Sequence, residues 1–195
     1  LVGRDPHFGR VCPETLVTLA TRNGLMNTVS VYVIKKAFAQ MAVLIKEYGI
    51  FLSLNLNPVD LISSSFKNAL RSELTQYQLA PSSIFLEITE MPCSDFLALK
   101  NGALSLAQAG FHLALDDFGK GCSDFPRLRA LPVSEVKIDR ALTRDMCASS
   151  NRHSSVWETC NALYRLPYQL IFEGVESQSQ LDTLCERFPR SWVQG

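Results

Sequence analysis

The sequence predicts an α/β fold whose strands run parallel and close into a (β/α)8 barrel. Three observations lead there. Apolar strand-like runs alternate with amphipathic helical stretches through most of the 195 residues, and strands joined through helices pair in parallel by right-handed crossovers. Those runs finish in acids or amides: Leu52-Ser-Leu-Asn55, Phe85-Leu-Glu-Ile-Thr-Glu90, Leu113-Ala-Leu-Asp-Asp-Phe-Gly119, Val136-Lys-Ile-Asp139 and Leu170-Ile-Phe-Glu-Gly-Val-Glu176. Alternation alone fits an open doubly wound sheet as well. The strand-end acids decide for closure, because a barrel gathers the carboxyl ends of all its strands on one face. The outer strands of an open sheet would lie too far apart to share one site.

The elements follow in order. Val31, Ile34, Phe38, Met41 and Ile45 recur at helical spacing and predict a helix over 30–48, ended by Gly49. Residues 50–56 read as a strand stopped by Asn57-Pro58, then a helix spans 61–77 and a strand 83–88. Asp95 is placed to cap a helix running to Ala109 and closed by Gly110. Strands follow at 111–115 and 134–138. The polar stretch 143–155 reads as a mobile loop. Val156, Cys160, Leu163 and Tyr164 mark one helical face that ends before Pro167, and 169–172, 177–188 and 192–193 read as strand, helix and strand fragment.

Composition narrows the function. With 47% hydrophobic residues the chain can bury one sizeable core and is expected to form a single domain over 1–195. Nineteen basic and nineteen acidic residues balance to a formal charge of +0, which speaks against a nucleic-acid polymer or a polybasic membrane patch. No apolar run of ~18 residues or signal peptide is evident, so no membrane segment is expected. The six cysteines have no C-x-x-C pair and read as reduced thiols. With three histidines available, a metal here would be held by oxygen.

Two adjacent carboxylates at the end of a buried strand, Asp116-Asp117, are costly to desolvate and suggest a cation, although an acid pair could also cap the next helix. Asn55 alone fits a strand-end turn, and Lys137 could pair with Asp139 for structural reasons. Glu87, set between Leu86 and Ile88, requires a partner or a metal. Gly119-Lys-Gly121 lacks the spacing of a phosphate-binding Walker loop.

Six motifs in order carry a resemblance: N-L-x-P at 55–58, L-E-I-T-E at 86–90, D-D-F-G-x-G at 116–121, L-P-V-x-x-V-K-I-D at 131–139, E-G-V-E at 173–176 and Q-G at 194–195. The chain resembles the bacterial EAL-domain cyclic di-GMP phosphodiesterases over almost its whole length. The resemblance implies a TIM-like barrel of the EAL type, here lacking its opening strands and the end of its last unit. It implies a hydrolase that opens cyclic di-GMP to linear pGpG with two Mg²⁺ or Mn²⁺ ions, as a homodimer in the cytoplasm, free or as the cytoplasmic part of a larger membrane-anchored sensor. By position, Asn55, Glu87, Asp116, Asp117 and Glu173 are the implied metal ligands. Lys137, Glu173, Asp117 and, in a supporting role, Glu176 are the implied catalytic group. Asp139, Gln194 and Arg4 are implied to bind substrate, with Asp139 also near a second ion or its waters, and Glu90 to anchor the loop after Asp117.

Some positions depart from the pattern. The glutamate of the family's name motif falls before residue 1, and Val2 takes the place of its phosphate-binding arginine, with Arg4 two residues on. Lys120 stands where the family commonly has threonine, and Cys122-Ser123-Asp124 replaces Tyr-Ser-Ser. Phe172 replaces an alanine and is expected to fill barrel volume. These departures motivate the alternative of an inactive EAL-type module that binds cyclic di-GMP or a protein partner.

Overall fold

The computed structural model describes residues 3–5, 9–89, 95–120, 125–148 and 154–195, with the backbone alone for 3–5, 10, 14, 126 and 127. A short antiparallel hairpin, β1 (Gly3–Asp5) and β2 (Gly9–Val11), leads into α1 (Pro13–Arg22) and α2 (Met26–Tyr48). The body is a six-stranded parallel sheet in which chain order is spatial order: β3 (Leu52–Leu56), β4 (Ile84–Thr89), β5 (His112–Phe118), β6 (Glu135–Ile138), β7 (Gln169–Glu173) and β8 (Trp192–Gln194). Consecutive parallel neighbours joined through helices match six strands of a (β/α)8 barrel; the alternation predicted the parallel pairing and the strand-end acids the barrel.

Strand parity separates two faces. Leu54, Leu56, Leu86, Ile88, Leu113, Val136, Ile138, Leu170 and Phe172 are buried on the helix side, and Ser53, Asn55, Glu87, Asp116, Lys137 and Glu173 fall on the inner one. Phe172 therefore does not fill barrel volume. It points outward, with its ring 5.1 Å from Phe188, which also stacks on Trp157 at 5.8 Å.

Several predicted elements return with changed ends. Gly49 ends α2 in the left-handed region at φ 63°, and Asp95 accepts a hydrogen bond from the Ala98 backbone N–H at 2.9 Å, so both caps act as expected. The helix predicted over 61–77 is two: α3 (Pro58–Ile62) and α4 (Ser64–Tyr77). Asn57 and Asp60 form a capping box on the first, while the Ser63 hydroxyl accepts from the Phe66 N–H and restarts the chain as the second. The predicted loop at 143–155 is helical up to residue 148, in α7 (Arg140–Ala148). Its polar residues Arg140, Arg144 and Asp145 face solvent while Thr143 and Met146 are fully buried, so composition hid an amphipathic turn pattern. Residues 149–153 of that loop lie outside the described residues.

The remaining helices are α5 (Phe96–Gln108), α6 (Phe125–Ala130), α8 (Ser155–Tyr164) and α9 (Gln178–Arg187). The hairpin, α1 and α6 have no counterpart among the elements predicted from sequence. By length and hydropathy α2 also meets the measure of a membrane span, which the sequence pattern did not suggest. In the fold it buries Ile34, Phe38, Ala42 and Ile45 on one face and exposes Lys35, Lys36 and Lys46 together with Tyr32, Val43, Leu44 and Tyr48 on the others.

One close approach fixes the layer outside β3 and β4. Gly102 of α5 lies against the backbone of α3, and a Cβ there would collide with the Leu61 carbonyl oxygen. We predict that Gly102→Ala lowers stability by roughly 1–3 kcal/mol through overpacking, despite the better helix propensity of alanine. Urea unfolding should show a lower midpoint at unchanged slope; an equal or higher midpoint would refute the close contact.

Candidate functional site

The sheet register builds the site. Asn55 of β3 lies opposite Glu87 of β4, Asp116 of β5 opposite Thr89 one step further up, and Glu173 of β7 opposite Gln194 of β8. Lys137 of β6 rises between them. Its Nζ stands 3.0 Å from Glu87 Oε2, 3.1 Å from Asp116 Oδ1 and 2.7 Å from Glu173 Oε1, with 8% of its side chain exposed. Burial disfavours the ammonium, yet the hydrogen bonds to Glu173 and Glu87 and the charge of Asp116 outweigh it and hold Lys137 above the ordinary lysine range. The structure thus brings Asn55, Glu87, Asp116, Lys137 and Glu173 together, and Lys137 pairs with these three acids rather than with Asp139.

Among the described residues no three acidic, histidine or cysteine side chains form a ready-made metal cluster. The convergence point of the acids holds an ammonium instead. Two observations nonetheless fit a metal ion. Asp116 Oδ1 is buried and accepts no hydrogen bond, Lys137 being near it only as a charge. The Asn55 amide stands 3.2 Å from both Glu87 Oε2 and Asp116 Oδ2. Turned with its nitrogen inward it donates to both. Turned with its oxygen inward it completes three converging acceptors that only a cation satisfies. The donors are oxygen atoms of the kind Mg²⁺ and Mn²⁺ take.

The other predicted residues stand around this centre. Asp117 occupies a break in the β5–β6 register and adopts φ 58°, uncommon for a side chain other than glycine. Its carboxylate pairs with Lys120, whose Nζ is 3.2 and 3.3 Å from the two oxygens. Gly119 follows at φ 102°, with Leu142 packed where a side chain would go. Asp139 is buried and accepts from the Ala141 N–H at 2.8 Å, so in this arrangement it caps α7. Gln194 is exposed on β8, and its carbonyl accepts from the Val175 N–H. Glu176 lies beyond Gly174 and is exposed, its backbone N–H donating to Gln180 Oε1. The Arg4 side chain and Glu90 lie outside the described residues.

Two participants were missed from sequence. The Ser53 hydroxyl donates a hydrogen bond to Glu87 Oε1. Glu135 lies in the register row Asn55, Glu87, Ala114, Glu135, on the same face as Lys137, and is 7% exposed. Strand parity counted back from Asn55 and Lys137 would have found both. The small Ala114 leaves nothing bulky between the two glutamates. Burial first, and then the Glu87 charge, push the Glu135 carboxyl up to about 7, against the pull of Lys137. Along β3, Ser53 and Asn55 also border a largely apolar groove of about 460 Å³ against Val17, Met26 and Val33.

The model of the EAL domain family matches residues 1–195. The chain belongs to the EAL domain family. It is 32% identical over 184 residues to the cyclic di-GMP phosphodiesterase PA2567 of Pseudomonas aeruginosa, a match covering 93% of this chain and 31% of that protein. The chain thus spans about a third of that relative's length. Among solved structures it is similar to the PaMucR phosphodiesterase in complex with c-di-GMP, at 26% identity and a TM-score of 0.79, over 100% of this chain and 79% of that one. The EAL enzyme Bd1971, bound to cAMP and cyclic di-GMP, matches at a TM-score of 0.86 and 20% identity, over 100% of this chain and 54% of that one. At that identity the likeness concerns the fold.

Glu135 generates a prediction for this EAL domain. Its folded-state pKa lies above that of a free glutamate, so folding takes up a proton between about 4.5 and about 7, and stability falls as pH rises through that window. Glu135→Gln should therefore stabilise the metal-free fold at pH 8 by on the order of 1–3 kcal/mol, with the gain vanishing as pH falls towards 4.5. Denaturant unfolding at the two pH values checks this; a gain independent of pH would exclude the carboxylate as its source.

Proposed function

We propose that this EAL domain, acting as one unit over residues 1–195, is a metal-dependent phosphodiesterase that hydrolyses cyclic di-GMP to linear pGpG in bacterial second-messenger signalling. The observation that carries the reading is the convergence of Glu87, Asp116 and Glu173, from three strand ends, on the ammonium of Lys137 with Asn55 alongside. The phosphodiesterase names of the relative and of the PaMucR structure point to the same substrate. A homodimer in the cytoplasm belongs to the same reading.

Asn55, Glu87, Asp116 and Glu173 would hold Mg²⁺ or Mn²⁺, and Asp117 and Asp139 stand near enough in sequence and strand position to serve a second ion. Such ions supply positive charge to the phosphoryl oxygens and to the attacking and leaving oxygens. Asn55 contributes a neutral donor, which limits the negative charge facing an anionic substrate. In the metal-free fold Glu173, Glu87 and Asp116 favour the protonated form of Lys137, and the role this reading gives it is to orient a water or a phosphate oxygen by donation. Its hydrogens go to Glu173 and Glu87, with Asp116 beside it as a charge, so a water would reach Nζ most readily as one of those acids turns to other work. Gln194, exposed on β8 opposite Glu173, would face a bound ligand.

A second reading, a module that binds cyclic di-GMP without cutting it, is favoured by the ion pair between Lys120 and Asp117. An ammonium on that carboxylate competes with a second ion. The competition is weak, because 65% of the Lys120 side chain is exposed and such pairs contribute about 0–1 kcal/mol.

Two outcomes are expected from a pGpG-release assay with Mg²⁺ or Mn²⁺. Asp116→Asn should reduce turnover by more than the roughly 10–100-fold that loss of an outer partner of a metal ligand costs, with dinucleotide binding retained. Full activity in that variant would remove Asp116 from the reaction. Lys120→Thr should lower the Mn²⁺ concentration for half-maximal turnover by about two- to fivefold. Binding without hydrolysis in both wild type and Lys120→Thr would establish the non-catalytic module instead.

A further inference from the structure

We infer that Ser53 is a positioning residue for the metal-binding carboxylate of Glu87, an inference that rests on the metal-site reading above. Ser53 sits on β3, two residues before Asn55, and the register places it directly opposite Phe85. Glu87 is the next inward-facing residue on β4, diagonal to Ser53, and leans along the strand to meet its hydroxyl. The hydrogen bond divides the two oxygens of Glu87. Oε1 is taken by Ser53, and Oε2 is turned to the centre, where it lies 3.0 Å from Lys137 Nζ and 3.2 Å from the Asn55 amide.

That division matters for a ligand. A carboxylate free to rotate presents either oxygen, or both, to a cation and loses orientation entropy when it binds. One oxygen pinned to a rigid strand leaves a single inward-directed donor, in line with Asn55 and Asp116. The pin comes from the strand that also supplies Asn55, so β3 delivers one donor directly and aims a second through Ser53. Because Ser53 is solvent-exposed, water can take over part of its role when the hydroxyl is removed. The effect therefore belongs near the lower end of the 10–100-fold range for such partners.

The test uses two variants of nearly equal shape, Ser53→Thr and Ser53→Val, both β-branched and suited to a strand. Mn²⁺ affinity is measured by calorimetry on the protein without substrate, and thermal unfolding of the metal-free forms monitors the fold. The expected result is wild-type affinity in Ser53→Thr and about tenfold weaker binding in Ser53→Val, with the two metal-free melting temperatures alike. Equal Mn²⁺ affinity in the two variants, or a difference that tracks their melting temperatures, overturns the role of Ser53 and leaves the metal site standing. Failure of the wild type itself to bind Mn²⁺ overturns the metal reading, and the positioning role with it.

Discussion

Lys137 carries one positive charge to a place where Glu87, Asp116 and Glu173 bring three negative ones, and four neighbouring strands must hold register for that contact to exist. The ammonium and its partners are only 8–20% exposed. Charges so withdrawn from water persist because they are paired and hydrogen-bonded, and removing one partner leaves the rest uncompensated. The pairing is also incomplete, since one cation cannot balance three carboxylates. Asp116 Oδ1 without a hydrogen bond, and an asparagine amide that can turn its oxygen inward, mark where the imbalance lies. A surplus of oxygen donors around a fixed ammonium attracts a hard cation.

The surrounding fold seals that cluster on its helix side. On the helix side, Leu86, Ile88, Val136, Ile138 and Phe172 are at most 1% exposed, which fixes which residues of each strand face inward. A slip of one residue would exchange an inward polar or charged residue for an apolar one, as Leu86 or Ile88 for Glu87 in β4. The irregularity between Leu115 and Phe118 is the exception that the site requires. It lets Asp116 face inward and Phe118 remain buried outward, with Asp117 in a left-handed conformation between them. Gly119, at φ 102° against Leu142, completes the turn where another residue would be obstructed.

How much of this the sequence revealed depends on the range of the signal. Alternating strands and helices, the Gly49 stop and the Asp95 cap are local and were legible. So were the inward acids, because each ends an apolar run, where a charge is too costly to bury without a partner or an ion. The split at Ser63 and the α7 helix were not. Both depend on which polar side chains turn to cap a helix and which turn to water, a decision made by tertiary packing around Asp60, Thr143 and Met146. Ser53 and Glu135 escaped for a different reason. They carry no motif, and only the cross-strand register shows that Ser53 reaches Glu87 and that Glu135 shares its row. The structural pairing of Lys137 with Asp139 that the sequence left open is not the one formed. Asp139 is the nearer acid in sequence, yet its carboxylate is engaged by α7 while three acids distant in sequence take the ammonium.

The two lysines near the site show why residue type alone does not define a role. Lys137 is enclosed, fixed by three acids from three strands, and cannot withdraw without leaving them to repel one another. Lys120 is largely exposed, held by one acid three residues away, and water replaces that contact at little cost. On the proposed reading, a divalent ion arriving at Asp117 would displace a weak, exposed competitor, whereas an ion arriving at Glu87 and Asp116 would share its donors with an enclosed one. The first lysine therefore sets the geometry into which any ion fits. The second, on the same reading, would set only how much ion is needed, the threshold of the site rather than its design.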